Sequence, residues 1–198
     1  MSGKIKLNSA SGGGSFSLQA PSSSSNNRVL TLPDSADGTI AKTSDISFTS
    51  YALICDVKAH DTDAGTFTAG TWQTRDLNTE ISDDDGIVSI SSNQFTLQAG
   101  SYLVKATAQG YRTNRHKAKL RNITDSTDIQ FGTSEYSGSS DSVGTNSKIF
   151  SRFTISGAKV FEIQHKAETT KDTNGFGVGS DFTGYTELYA VVEIYKEG

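Results

Sequence analysis

Of its 198 residues the chain spends one on cysteine, two on proline, one on tryptophan and one on methionine. The single cysteine, Cys55, excludes an internal disulfide and a cysteine-based zinc site. It falls in the apolar alternation Tyr51, Leu53, Cys55, Val57, which makes it a small buried hydrophobe. Both prolines, Pro21 and Pro33, precede residue 45 and break the short extended pieces there. No apolar run approaches the roughly 18 residues a membrane helix needs, which excludes membrane insertion by a helix. The start Met-Ser-Gly-Lys-Ile-Lys-Leu-Asn lacks the apolar core of a signal peptide, so synthesis in the cytoplasm without a signal peptide is expected. Lysine and arginine do not cluster and the net charge is -4, which speaks against a nucleic-acid partner. The densest basic stretch, Arg112 to Arg121, reads as a strand with one solvated face. Sustained helical periodicity is missing throughout.

What is present is alternation. Apolar residues make up 34% of the chain, beside abundant Ser, Thr, Asn and Gly, the composition of an all-β protein. Strands are expected at 51–59, 71–77, 87–90, 94–97, 101–109, 115–121, 127–132, 148–155, 159–166 and 186–195. So many strands with frequent turn signals imply a sandwich or jelly roll over residues 46–198. Before it, residues 1–45 carry short extended pieces (Phe16 to Ala20, Arg28 to Leu32, Thr39 to Ala41) broken by glycine, serine and proline. Too short to bury a core alone, they are expected to form an N-terminal β-stalk or attachment segment by winding with other copies; an unpacked leader is the alternative.

The last strand, Glu187 to Tyr195, has two apolar faces. Strict alternation places Leu188, Ala190, Val192 and Ile194 on one side and Tyr189, Val191 and Tyr195 on the other. A second covered face asks for a second copy, so Tyr189, Val191 and Tyr195 are the expected subunit-interface residues. Tight turns at 99–100, 122–126 and 156–157 are expected at one end of the sandwich. The long loops 60–70, 82–86, 133–147 and 168–184 are expected at the other, where binding residues collect. From these, Tyr136, Asp141, Asn146, Asn174 and Phe176 are the candidate binding residues, rings for stacking and amides or carboxylates for hydrogen bonds.

Motifs for chemistry are weak. Gly65 to Thr71 has P-loop glycine spacing without the lysine that grips phosphate. His60, His116 and His165 stand on separate elements without zinc spacing; His165 reads as a strand-edge residue. No nucleophile elbow is present, no catalytic residue is assigned, and no enzyme activity is expected. Glu162 and Glu168 are the carboxylates that a glycosidase reading would need. Asp83-Asp84-Asp85-Gly86 with His60, Asp61 and Asp63 could offer oxygens to calcium but lack an EF-hand ladder. No metal site and no cofactor are assigned, with calcium left open.

Two resemblances rest on quoted residues. The leader Ser15-Phe-Ser-Leu-Gln-Ala-Pro21, Asn27-Arg-Val-Leu-Thr-Leu-Pro33, Asp37-Gly-Thr39 resembles a segment of phage tail-fibre and virion appendage proteins. The remainder is similar to the C1q/tumour-necrosis-factor-like jelly roll in its phage-fibre form, through Trp72-Gln-Thr-Arg75-Asp-Leu77-Asn78, Gln94-Phe95 to Tyr102, and Asp181-Phe182 to Tyr189. The resemblance implies a homotrimer and a virion location, in a tail fibre or capsid appendage. It implies a receptor-binding tip that attaches the particle to a host surface glycan or protein, with residues 1–45 holding another virion protein. A capsid decoration or head-fibre protein is the first alternative, and a glycan-modifying tip enzyme the second.

Overall fold

The computed structural model describes residues 4–8, 11–19 and 47–198. The chain divides into two compact units, 1–40 and 41–198. In the first, β1 (Lys4–Asn8) and β2 (Ser15–Gln19) form an antiparallel hairpin. Gly12 and Gly13 take φ of 86° and 70° in the connection, angles that a Cβ disfavours. Ile5 and Leu7 on β1 are exposed. The expected strands at 28–32 and 39–41 lie outside the described residues.

In the second unit, no helix occurs among the described residues, and the strands form two sheets. One sheet has the order β12 (Gly144–Ile155), β8 (Gly100–Tyr111), β14 (Glu187–Lys196), β3 (Ser50–Lys58), β5 (Thr79–Ser82). The other runs β10 (Thr127–Phe131), β9 (Asn114–Asn122), β13 (Lys159–Ala167), β7 (Gln94–Leu97), β6 (Val88–Ser91). Two short strands join it, β11 (Glu135–Ser137) on β9 and β4 (Gln73–Thr74) on β13. This is the all-β jelly-roll sandwich expected of residues 46–198.

Side chains alternate as the strand period requires. Ala52, Ile54, Val104, Ala106, Val192 and Ile194 of the first sheet meet Ala118, Leu120, Phe161, Ile163, Phe95 and Leu97 of the second in one core. Burying the valine, leucine, isoleucine and phenylalanine side chains contributes about 1.5–3 kcal/mol each, against which the ordering of the backbone is set.

Strand register defines the two ends. Ser50 pairs with Lys196, and Gly100 with Ile155, at the end where the chain enters and leaves the sandwich. At the opposite, far end stand Lys58 with Glu187, Tyr111 with Gly144, and Ala167 with His116. Loops 60–70, 138–143 and 168–186 therefore lie at the far end, as expected. The Ser82 to Gly86 loop does not, because β5 runs antiparallel to β3, bringing Ser82 beside Leu53 on the way to the entry end. There Ser82, Asp84 and Asp85 share a recess with Phe48, Ser50 and Tyr195.

The expected loop 133–147 is also shorter than its polarity suggests. Its two ends are strand, β11 and the start of β12, where polar residues pair in the ladder and Ser137 and Ser147 are buried despite their hydroxyls. The expected strand 71–77 is instead two paired residues followed by a segment that passes through the sandwich. Gln73 and Thr74 pair with β13, Arg75 and Leu77 are buried, and Asn78 bonds both backbone groups of Val57 on β3. The Trp72 to Asn78 motif thus ties one sheet to the other.

Candidate functional site

Three surfaces or clusters collect the chemistry-bearing residues. The first is the outward face of the five-stranded sheet. Register lays its side chains in rows: Tyr51, Tyr195, Leu103, Arg152; then Leu53, Glu193, Lys105, Phe150; then Cys55, Val191, Thr107, Lys148. Tyr195 stacks in tilted contact with Phe48 and Tyr51 at 5.3 and 5.0 Å, and the Lys105 ammonium lies 5.0 Å from the Tyr195 ring centre. Both tyrosine hydroxyls donate to Glu193, and burial, then that carboxylate, raises their pKa above the ordinary value. Phe150 is 59% exposed in the single subunit and Leu188 50%, so this face carries large apolar side chains with no cover. Cys55 is fully buried, and burial pushes its thiol up to about 11, the behaviour of an inert hydrophobe.

The expectation for this face needs one correction. Leu188 pairs with Val57 and Val191 with Cys55, so Tyr189 and Ala190 both stand opposite Asp56 alone. This β-bulge breaks the alternation. Tyr189 turns inward, 4% exposed, with its hydroxyl donating to the Thr62 carbonyl at 2.8 Å, and Leu188 takes its place outside. Burial, followed by nearby carboxylates, raises the Tyr189 pKa strongly. Val191 and Tyr195 remain on the outward face, as read from the sequence.

The second cluster lies inside the far end. Arg75 is fully buried and donates to the carbonyls of Gln109 and Phe176 at 2.9 Å each, while its guanidinium sits 4.2 Å from the centre of the Phe176 ring. Burial lowers its pKa to about 10, opposed by Asp56 and Asp76. Asp56, itself buried, is raised by burial and pairs with Lys58 at 3.0 Å. His116 and His165 share a 2.9 Å hydrogen bond, and His116 also bonds Thr145 Oγ1 at 2.8 Å. His165 therefore stands on a central strand, packed against Phe67 at 4.7 Å, and not at a sheet edge as its sequence context suggests. No spacing rule links residues 49 apart, so the pairing was hidden in the sequence. The Glu187 carboxylate accepts from Ser180 N and Oγ and from Asp181 N, and these backbone bonds lower its pKa.

The five residues assigned to receptor contact are distributed unevenly. Tyr136 is 59% exposed on β11, directly opposite Arg115. Asp141 is exposed and closes a turn onto Gly138. Asn146 is exposed but lies on edge strand β12 opposite Gln109, among the outward residues of the five-stranded sheet and not in a tip loop. Asn174 is half-buried, and its Oδ1 makes no hydrogen bond to the described residues. Phe176 is committed inward: it stacks on Phe67 at 4.4 Å and under Arg75, which removes it from a sugar-stacking role. The 111–114 turn gathers these loops, with Tyr111 N bonding Gly175 O and Arg112 bonding the carbonyls of Ser139 and Val143. Asp61, Arg112, Thr173 and Asp181 in far-end loops, and Asn114 at the start of β9, hold positive φ between 54° and 65°, a conformation non-glycine residues adopt at some cost.

The two acidic stretches considered for calcium are at opposite ends of the sandwich. Asp83 uses both carboxylate oxygens on Ile87 N and Val88 N, and Asp63 accepts from Gly179 N. Among the described residues, no group of three His, Cys, Asp or Glu is arranged to hold a metal ion. Glu162 is bonded by Gln94 and Gln164, and Glu168 by Arg115.

The third surface is a groove of about 670 Å³ on the outward face of the seven-stranded sheet, lined by Trp72, Phe131, Arg115, Lys117, Glu135 and Lys166 among others. The sequence reading missed it because Trp72 and Phe131 are 59 residues apart and meet only through β4, β13, β9 and β10. The one signal available was a lone tryptophan followed by strand-like residues.

No protein-family model matches the sequence, and no curated protein matches it. Solved structures with a similar fold include the globular domain of zebrafish complement 1qA protein, at 18% identity over 75% of this chain and 97% of that one, with a TM-score of 0.48. Murine APRIL at pH 5.0 is similar at 5% identity over 74% and 98%, TM-score 0.47. PRD1 vertex protein P5 is similar at 12% identity over 76% and 99%, TM-score 0.46. No helix of the described residues is long and apolar enough to cross a membrane.

Proposed function

We propose that this chain is a homotrimeric virion protein whose jelly roll forms a tail-fibre tip that attaches the particle to a host surface glycan. The observation that carries the reading is the uncovered apolar face of the five-stranded sheet. Phe150 and Leu188 are exposed, Leu53, Leu103, Val191, Tyr51 and Tyr195 are half-buried on the same outward face, and a second copy is the simplest cover. The number three, and the attachment of residues 1–45 to another virion protein, come from the resemblances of the leader and the jelly roll to phage appendage proteins.

Assembly supports adhesion through repetition. Three copies per tip and several tips per particle turn each later contact into an intramolecular event, so weak single sites suffice. The far-end loops are built for display, since their backbone is fixed by the 111–114 turn while Tyr136 and Asp141 remain exposed. Adhesion here involves no catalysis. Adsorption of the purified chain to host cells, and its competition with the intact particle, tests the reading directly. Particle imaging that finds the chain on the capsid shell would replace it with a decoration role, and release of reducing ends or acetate from host polysaccharide would replace it with an enzymatic one.

A further inference from the structure

We infer that the groove lined by Trp72, Phe131, Lys117 and Lys166 binds an anionic pyranose, with the sugar ring on the aromatic wall and its acidic group between Lys117 and Lys166. This rests on the adhesion reading and gives it a site and a ligand class.

The aromatic wall is preorganised. Trp72 and Phe131 meet at 6.1 Å between centroids with their planes tilted by 47°. Beneath them Lys119, only 5% exposed, places its ammonium 4.3 Å from the Trp72 ring centre and 5.9 Å from that of Phe131. That ammonium is neutralised by Asp128 at 2.9 Å, and Arg121 braces the same carboxylate at 2.8 Å. A buried cation under two rings fixes them in place, while Phe131 keeps 49% of its surface open. Rings with an apolar face held toward solvent suit the axial C–H face of a sugar.

The charge around the wall is unbalanced. Lys117 and Lys166 both line the groove and are direct cross-strand partners of β9 and β13. Like charges opposite one another destabilise a sheet. Neither lysine has an ion-pair partner among the described residues. The remaining groove charges are spoken for: Arg115 pairs with Glu168 at 2.7 Å, and Glu135 accepts from Thr133 Oγ1. Two free ammonium groups against the single carboxylate Glu135 leave a positive slot beside an apolar wall. A carboxylate or phosphate seated there would turn a repulsive pair into two charge-assisted bonds. The volume lies in the range of ligand sites and admits a short oligosaccharide.

The location suits display. The groove is on the sheet opposite the one whose outward face is proposed to meet the other copies, so trimer formation leaves it open. Arg115 on its rim stands opposite the exposed Tyr136, one of the contact residues expected from the sequence.

The test uses the full chain and an oligosaccharide panel with uronic-acid, sialic-acid and phosphate-bearing members beside neutral ones of equal length. The expected result is binding of anionic members alone, reduced about tenfold or more by Lys117→Gln with Lys166→Gln and again by Phe131→Ala. The double variant removes a repulsive pair, so its unfolding midpoint should hold or rise, which keeps a binding loss from being a folding loss. The panel arms separate carboxylate from phosphate as the acidic group. Equal binding of neutral members, no binding of anionic ones, or affinity unchanged in either variant overturns the inference. Adsorption to host cells separates the two levels: wild type and variants adsorbing equally removes the groove and leaves adhesion standing, whereas no adsorption by wild type removes adhesion itself.

Discussion

His116 Nδ1 lies 2.9 Å from His165 Nε2 inside the sandwich, so one nitrogen donates and the other must be bare. Burial lowers the His116 pKa from 6.5 to about 4, with Arg75 adding to the fall and Glu135 opposing it. His165 is held well below its ordinary value by burial, then by Arg75 and His116. The unfolded chain therefore binds more protons than the folded one in mild acid, and stability falls as pH drops below 6.5 toward about 4. Urea unfolding between pH 7.5 and 4 should show a loss of a few kcal/mol across that window. A flat profile would mean that the pair is not buried neutral.

Replacing Arg75 with methionine should destabilise the domain by about 3–5 kcal/mol, the cost of breaking a buried charge network. Methionine fills the volume, but the carbonyls of Gln109 and Phe176 lose their donor and Asp56 loses a nearby cation. Thermal unfolding of the variant beside wild type reads the difference.

The bulge separates two neighbours in role. Tyr189→Phe removes one hydrogen bond to the Thr62 carbonyl and should cost about 1 kcal/mol while leaving self-association intact. Leu188→Asp should leave the folding of the single subunit within about 0.5 kcal/mol, since the side chain is half-exposed there, and should abolish association. Sizing chromatography of both variants decides between the two assignments.

Gly177→Ala should destabilise by about 2 kcal/mol or more. Gly177 holds φ of 150°, and an added Cβ would collide with the Tyr189 ring and the Gln109 amide. The same loop then loses the bonds of its carbonyl to Ala64 N and of its N–H to Asn174 O, so protease sensitivity of the 168–186 loop is a second readout.

The long strands and the two-sheet architecture were legible because alternation is written residue by residue, as in Ala52, Ile54 and Val104, Ala106. What escaped was set by pairing across the chain. Tyr189 read as outward because a bulge inserts a residue without leaving a sequence mark, and the partner spacing of Leu188 and Val191 on Val57 and Cys55 exists only in the folded sheet. Phe176 read as a loop aromatic free for a ligand, since nothing local reveals that Arg75 reaches it from 101 residues away. The Ser82 to Gly86 loop was set at the wrong end because β5 is too short to be seen as a strand, which miscounts the chain's reversals.

Trimer formation and adhesion both require the outward face of the five-stranded sheet to be covered by two further copies. Native mass spectrometry or sedimentation equilibrium of the full chain should give three times 21.1 kDa, collapsing to the single mass in Leu188→Asp. A wild-type chain that stays at the single mass at micromolar concentration, with Phe150 and Leu188 open to solvent, would contradict it.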